Sequence, residues 1–135
     1  SEVEFIRAEA EWKAGNNTGA KTAYEKAVKA AMEQWTVTMP ADYFTNTFAA
    51  YNGTLERILL QKYYSQIFVD YQQWFEYRRT GYPTLPVAAG MLNNGVMPSR
   101  FMYPISVKVS NPDKYNEAVT GMGGDNINVK VWWEK

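Results

Sequence analysis

The run Ala20-Lys21-Thr22-Ala23-Tyr24-Glu25-Lys26-Ala27-Val28-Lys29-Ala30-Ala31-Met32-Glu33-Gln34-Trp35 decides the fold class. Ala20, Tyr24, Ala27, Ala31 and Trp35 recur every three or four residues, which puts them on one face of an α-helix, and Glu25 and Lys29 add a favourable i,i+4 pair. Upstream, Phe5, Ala8 and Trp12 keep the same spacing among Glu2, Glu4, Glu9 and Glu11, and acidic residues suit the positive N-terminal end of a helix. The pattern predicts a helix over 2–14 ending at Gly15, a polar turn at Asn16-Asn17-Thr18, and a second, alanine-rich helix to Trp35. Small residues on its inner face allow close approach, so residues 1–35 read as an antiparallel helical hairpin.

Working outward, the periodicity fails over 36–53, where Pro40 interrupts the backbone and Tyr43, Phe44, Phe48 and Tyr51 stand among Thr, Asn and Ala, so a loop with short helical turns is expected. Leu55, Ile58, Leu59 and Tyr63 restore helical spacing, with Thr54 as N-cap and an end near Phe68. Asp70 followed by Gln73 has the form of a capping box, which predicts a fresh helix or a bend carrying Tyr71, Trp74, Phe75 and Arg78 on one face. It stops at Thr80-Gly81-Tyr82-Pro83, where glycine accepts the left-handed position and proline cannot continue the helix. Residues 83–135 are rich in Gly, Pro, Asn and Met, with extended runs expected at 102–109 and 128–133 and a short helix at 112–119. The chain thus reads as one mainly α domain in four parts: a hairpin (1–35), a variable loop (36–53), helices (54–82) and a long irregular tail (83–135).

Composition narrows the function. A length of 135 residues suits a single domain and excludes a large multidomain enzyme. Lys plus Arg balance Asp plus Glu at 14 each, so no net charge draws nucleic acid or an anionic membrane surface. The sequence has no cysteine and no histidine, which removes thiolate nucleophiles, Cys-based metal sites and the commonest general base, and no metal or cofactor is expected. The apolar fraction of 46% is ordinary, whereas aromatics reach 16%. The longest uncharged stretch, 80–99, holds Pro83, Pro86 and Pro98 together with Gly81, Gly90 and Gly95, so direct membrane insertion is not expected, and no signal-like basic and apolar run opens the sequence. The tail, roughly 50 residues of little regular structure, is expected to pack over a helical surface, either here or in a part of the protein beyond these residues. Asp70 and Glu76, and Glu9 and Glu11, do not share a helix face as an acid and base pair would, while a long-range pairing such as Asp42 with Asp125 stays open. Gly121-Met122-Gly123-Gly124-Asp125 lacks the strand and helix of a phosphate-binding loop and reads as a turn.

Ala8, Gly15, Ala20, Tyr24 and Ala27 resemble one tetratricopeptide unit, although any close helix pair asks for similar residues. More specific are Gln61-Lys62, the run Trp74-Phe75-Glu76-Tyr77-Arg78-Arg79-Thr80-Gly81-Tyr82-Pro83, the run Pro98-Ser99-Arg100-Phe101-Met102-Tyr103-Pro104, then Asn111, Tyr115, Ala118, Gly124-Asp125 and Trp132-Trp133. In that order and spacing they resemble the C-terminal portion of the SusD/RagB family, strongly over 54–135 and more loosely over 1–35. Relatives often carry an acidic residue three positions after the second Tyr-Pro, and here that position is Val107. The resemblance implies an α-α superhelix of tetratricopeptide-like hairpins in a nutrient-binding lipoprotein of the Bacteroidetes outer membrane. It also implies a non-enzymatic role, capturing oligosaccharides or, in some branches, peptides for a SusC-type TonB-dependent transporter. The lipid anchor would lie at the extracellular face in an N-terminal part beyond these residues, making this chain a C-terminal portion. Gln61, Lys62, Trp74, Tyr77, Arg78, Arg79, Thr80, Gly81, Tyr82, Pro83, Arg100, Tyr103, Pro104, Asn111, Trp132 and Trp133 are then read as the family's structural motif.

Physical chemistry supports a scaffold role for that motif. Arg78 shares a face with Trp74, where its guanidinium would meet a carboxylate or helix-end carbonyls and stack on a ring, while Arg79 is expected at the surface. Trp132 and Trp133 face opposite sides if extended, so one is expected to pack in the core. Sugar binding asks instead for exposed flat rings beside amides or carboxylates on a loop-built surface. The candidates are Trp35, Tyr43, Phe44, Phe48 and Tyr51, with Asn46 and Asn52 as amide partners and Asp42 as an acceptor. The rival reading is that these rings pin the loop to its own domain, leaving a helical scaffold that docks on the transporter without touching ligand.

Overall fold

Asn16 joins the first two helices. Its Oδ1 accepts from the Gly19 N–H at 3.0 Å, capping α2 (Asn17–Gln34), and its Nδ2 donates to Glu11 Oε2 at 2.8 Å on α1 (Glu2–Lys13). The turn between them needs Gly15, which takes φ +76°. The computed structural model describes residues 1–88 and 90–134; Ala89 and Lys135, which fall within the expected tail, lie outside the described residues. It is all-helical, with no strand among the described residues. The chain forms two compact units, Ser1–Tyr77 with Gly81–Thr84, and Arg78–Thr80 with Leu85–Lys135.

In the first unit the periodic residues make the core. Phe5 and Ala8 of α1, Ala23, Tyr24, Ala27 and Val28 of α2, and Ile58 of α3 (Leu55–Ser65) are buried together. Thr54 caps α3 as expected, its Oγ1 accepting from the Arg57 N–H at 3.2 Å. The loop over 36–53 contains one 3-10 turn, Tyr43–Thr45, and is tied down at several points. Tyr24 donates its hydroxyl to the Ala49 carbonyl, Tyr51 donates to Asn17 Oδ1 at 3.2 Å, and Arg57 Nη2 donates to the Thr47 carbonyl at 3.0 Å. Lys62 is buried on α3, with its ammonium 3.0 Å from Glu76 and 4.0 Å from Glu2.

Two local expectations are corrected here. α3 stops at Ser65 rather than near Phe68, because Phe68 and Asp70 take φ +62° and +40° and turn the chain. Asp70 therefore lacks the extended backbone an N-cap needs and caps nothing. α4 (Gln72–Thr80) starts after Tyr71 with no side-chain cap, and Gln73 donates its amide to the Tyr63 carbonyl at 2.7 Å. Gly81 ends α4 in the left-handed conformation, φ +75°, as its position predicts.

In the second unit, residues 102–109 do not form the expected extended run. Ile105, Val107 and Val109 alternate as a strand would, but no strand among the described residues offers a ladder, and Ile105–Ser110 closes its hydrogen bonds internally as α5. α6 (Pro112–Met122) is capped by Asn111, whose Oδ1 accepts from the Lys114 N–H at 3.4 Å, and it ends at Gly123 with φ +82°. Residues 128–133 are likewise not a strand. Neither terminal tryptophan enters a core: Trp132 is 96% exposed, and Trp133 lies under the Arg78 guanidinium, 4.5 Å from the ring centroid. Arg78 also stands 3.9 Å from Glu134, so the carboxylate and ring expected for it are both present. Asp125 gathers the rest of this unit. Its carboxylate accepts from the Tyr103 N–H and the Tyr115 hydroxyl, each at 3.1 Å, and pairs with Arg100 at 3.3 Å.

Candidate functional site

The first unit carries a ring-lined groove assembled from three parts of the chain. The end of α2 supplies Trp35, the 3-10 turn supplies Tyr43, the loop supplies Asn46 and Phe48, and α3 supplies Arg57, Gln61 and Tyr64. The groove has two adjoining hollows that share Tyr43, Gln61 and Tyr64. One, of about 260 Å³, is walled by Val28, Ala31, Met32, Trp35 and Val37, and no charged side chain among the described residues lines it. The other, of about 320 Å³, is bordered by Asn46, Phe48, Arg57 and Leu60.

Local geometry keeps these rings in solvent. Phe48 is 82% exposed, Tyr64 is 56% exposed and Trp35 is 39% exposed. Phe48 is held out by an Asx-type turn in which Asn46 Oδ1 accepts from the Phe48 N–H at 2.8 Å. Tyr64 follows Tyr63 on α3 and falls off the Ile58 and Leu59 face, so it points outward while they fill the core. Tyr43 donates its hydroxyl to Gln61 Oε1 at 3.1 Å, which fixes a hydroxyl and a carboxamide side by side. Behind the groove, burial pushes the Tyr24 and Tyr51 hydroxyls above the usual phenol range, so both stay protonated donors to their loop and helix partners.

The arrangement can hold a flat, hydroxylated ligand by ring stacking and neutral hydrogen bonds, the combination expected of small-molecule sites. Comparison with known proteins then places the chain. Residues 1–104 match the model of SusD-like_2, a family described as starch-binding and associating with the outer membrane. The chain belongs to this family. The match also runs through the 36–53 loop, where the sequence by itself showed no resemblance. Among solved structures, this SusD-like chain is similar to the Bacteroidetes AC2a SusD-like protein, with a TM-score of 0.88 and 26% identity, covering 99% of this chain and 29% of that one. It is also similar to a SusD homolog from Bacteroides vulgatus ATCC 8482, with a TM-score of 0.83 and 26% identity over 99% of this chain and 34% of the other. A third neighbour is a chitin-binding protein, with a TM-score of 0.75 and 26% identity over 98% of this chain and 32% of the other. The chain therefore spans about a third of the length of these relatives. No curated protein matches it by sequence.

Of the residues singled out for binding, the fold brings Trp35, Tyr43, Asn46 and Phe48 together at the groove. The other four lie elsewhere. Phe44 and Tyr51 turn toward the core, with ring centroids 6.4 and 5.6 Å from that of Tyr24. Asn52 is taken up in shaping the start of α3, its Oδ1 accepting from Thr54 Oγ1 at 2.7 Å and the Thr54 N–H at 3.1 Å. Asp42 borders neither hollow, and its carbonyl accepts from the Thr45 N–H at 2.9 Å. Sequence reasoning missed Tyr64, Val37 and Arg57 and assigned Gln61 to the scaffold. One signal was available for Tyr64: an aromatic residue off the apolar face of a helix is exposed unless something covers it. Among the described residues, no cluster of three or more His, Cys, Asp or Glu forms a metal site, and no helix is long and apolar enough to cross a membrane.

Proposed function

We propose that this chain contributes a passive glycan-binding surface to a longer nutrient-capture protein of the outer membrane. The observation that carries the reading is the concave groove with Trp35, Tyr64 and Phe48 exposed around the Tyr43–Gln61 pair. Flat rings stack on the weakly apolar faces of pyranosides, and the phenol, the carboxamides of Gln61 and Asn46 and the guanidinium of Arg57 hold hydroxyls. No carboxylate among the described residues lines either hollow, so the surface suits capture rather than bond cleavage. The family's starch-binding description and the chitin-binding neighbour support a carbohydrate ligand. In the same reading the whole protein sits at the extracellular face of the outer membrane through a lipid anchor outside these residues. There it serves as partner to a SusC-type TonB-dependent transporter.

A scaffold role is favoured by Phe44 and Tyr51, which do pin the loop to the core. The two readings separate on Phe48→Ala and Tyr64→Ala, both at exposed positions whose loss leaves the core intact. In affinity electrophoresis of the full-length protein against a polysaccharide panel, capture at this groove predicts at least about a fivefold loss of affinity, the size of a truncated aromatic anchor. Unchanged affinity in both variants assigns this portion to scaffold.

A further inference from the structure

Thr36 and Phe68 hold left-handed backbones, with φ +54° and +62°, and Asp70 follows at +40°. A β-branched and a bulky aromatic residue adopt that conformation only when the surroundings impose it, and such strain concentrates at functional sites. These two turns bring one ring pair together at the surface. Trp35 and Phe68 meet edge to face, with centroids 6.3 Å apart and an interplanar angle of 68°, and Phe68 is 89% exposed. Trp35 is also a wall of the 260 Å³ hollow, a volume just under the 300–1,000 Å³ typical of ligand sites. It suits one sugar unit or a substituent of one.

The chemistry of that hollow is selective. Val28, Ala31, Met32 and Val37 make an aliphatic wall, against which a sugar hydroxyl would lose water without gaining a partner. A methyl group loses nothing there. The Tyr43 hydroxyl and the Gln61 carboxamide lie on the same hollow, 3.1 Å apart, and a phenol and a carboxamide complement the N–H and C=O of an amide. The acetamido group combines those two demands, an apolar methyl next to a polar amide, and it is uncharged like the walls.

We infer that this hollow is a specificity pocket for an N-acetylated hexosamine, with the acetamido methyl against Val28, Met32 and Val37, the amide toward Tyr43 and Gln61, and the pyranoside ring on Trp35. The inference rests on the glycan reading above and narrows it. The test is calorimetric titration of the full-length protein with chitohexaose, cellohexaose and a fully deacetylated chitosan hexamer, which share one backbone and differ in a single substituent. Chitohexaose should bind at least about tenfold more tightly than cellohexaose, the discrimination a small apolar group earns in a fitting pocket, and the charged amine form should bind weakest. Val37→Asp, at a position already 54% exposed, should abolish the preference for chitohexaose over cellohexaose. Equal affinity for chitohexaose and cellohexaose overturns the inference and leaves the glycan reading standing. Failure of every glycan in a wider panel to bind overturns both. Acrylamide quenching of the ligand-free protein, compared with Trp35→Phe, supplies the remaining check: a shielded Trp35 means that the protein's own chain fills the hollow, and the inference falls.

Discussion

Tyr24→Phe isolates the bond that ties the variable loop to the helical hairpin. The Tyr24 side chain is fully buried, and its ring lies among those of Phe5, Phe44 and Tyr51. Phenylalanine keeps that packing and removes only the hydroxyl that donates to the Ala49 carbonyl. Ala49 is 6% exposed, so water does not replace the lost donor, and an unsatisfied buried carbonyl costs about 1–3 kcal/mol. The penalty falls on the loop, because Ala49 sits beside Phe48 and within a turn where the Ala49 and Ala50 N–H groups donate to the Asn46 carbonyl at 3.0 and 2.7 Å. If that turn opens locally, its amides should exchange about 5- to 150-fold faster, which is the same energy expressed as an opening equilibrium. Hydrogen exchange of peptides spanning 46–50 reads this directly, with peptides from α1 as the internal control. Unchanged exchange at 46–50 refutes the argument, as does an equal acceleration in α1, which would mean that the hydroxyl supports global stability and not the loop.

Lys62→Met removes a buried ammonium and leaves Glu76, whose side chain is 21% exposed, without its lysine. Thermal unfolding should show a loss toward the lower end of about 3–5 kcal/mol, partly recovered when Glu76→Gln is added, and no recovery would deny the coupling. The hydrogen bond from Lys26, at 2.6 Å, holds the Glu4 carboxyl below the usual glutamate range. Its contribution is therefore complete above the unfolded value, at pH above about 5, and is lost as pH falls through the lowered folded value. The stability gap between the wild type and Glu4→Gln should accordingly narrow on acidification below the unfolded value, and a gap of constant size down to acid unfolding contradicts it. Burial first, then the hydrogen bond and charge of Asp125, push the Tyr115 phenol upward. Asp125→Asn should bring one tyrosine into titration at lower pH in an absorbance titration, while superimposable curves would remove Asp125 as a cause.

Much of the fold was readable because its determinants are local. The three- and four-residue spacing of Ala20, Tyr24 and Ala27, the Thr54 cap and the left-handed Gly81 act within a turn or two of chain, and each appears as expected. Asp70 and the 102–109 run misled for a physical reason. A capping residue works only from an extended backbone, which the turn at Phe68 denies it, and alternating Ile105, Val107 and Val109 form a strand only where another strand pairs with them.

The candidate groove divides along the same line. Composition and spacing alone determined an aromatic-rich, mainly α chain without cysteine or histidine, and the order of its motifs pointed to the SusD-like family. Which rings face solvent was decided by tertiary structure. Tyr43 and Phe44 are neighbours in sequence and both pack against the core with their rings 5.4 Å apart, yet the Tyr43 hydroxyl reaches Gln61 at the groove while the Phe44 ring lies beside Tyr24. Trp35, Phe48 and Tyr64 share a surface only after α2, the loop and α3 have packed, since exposure depends on what the rest of the chain covers.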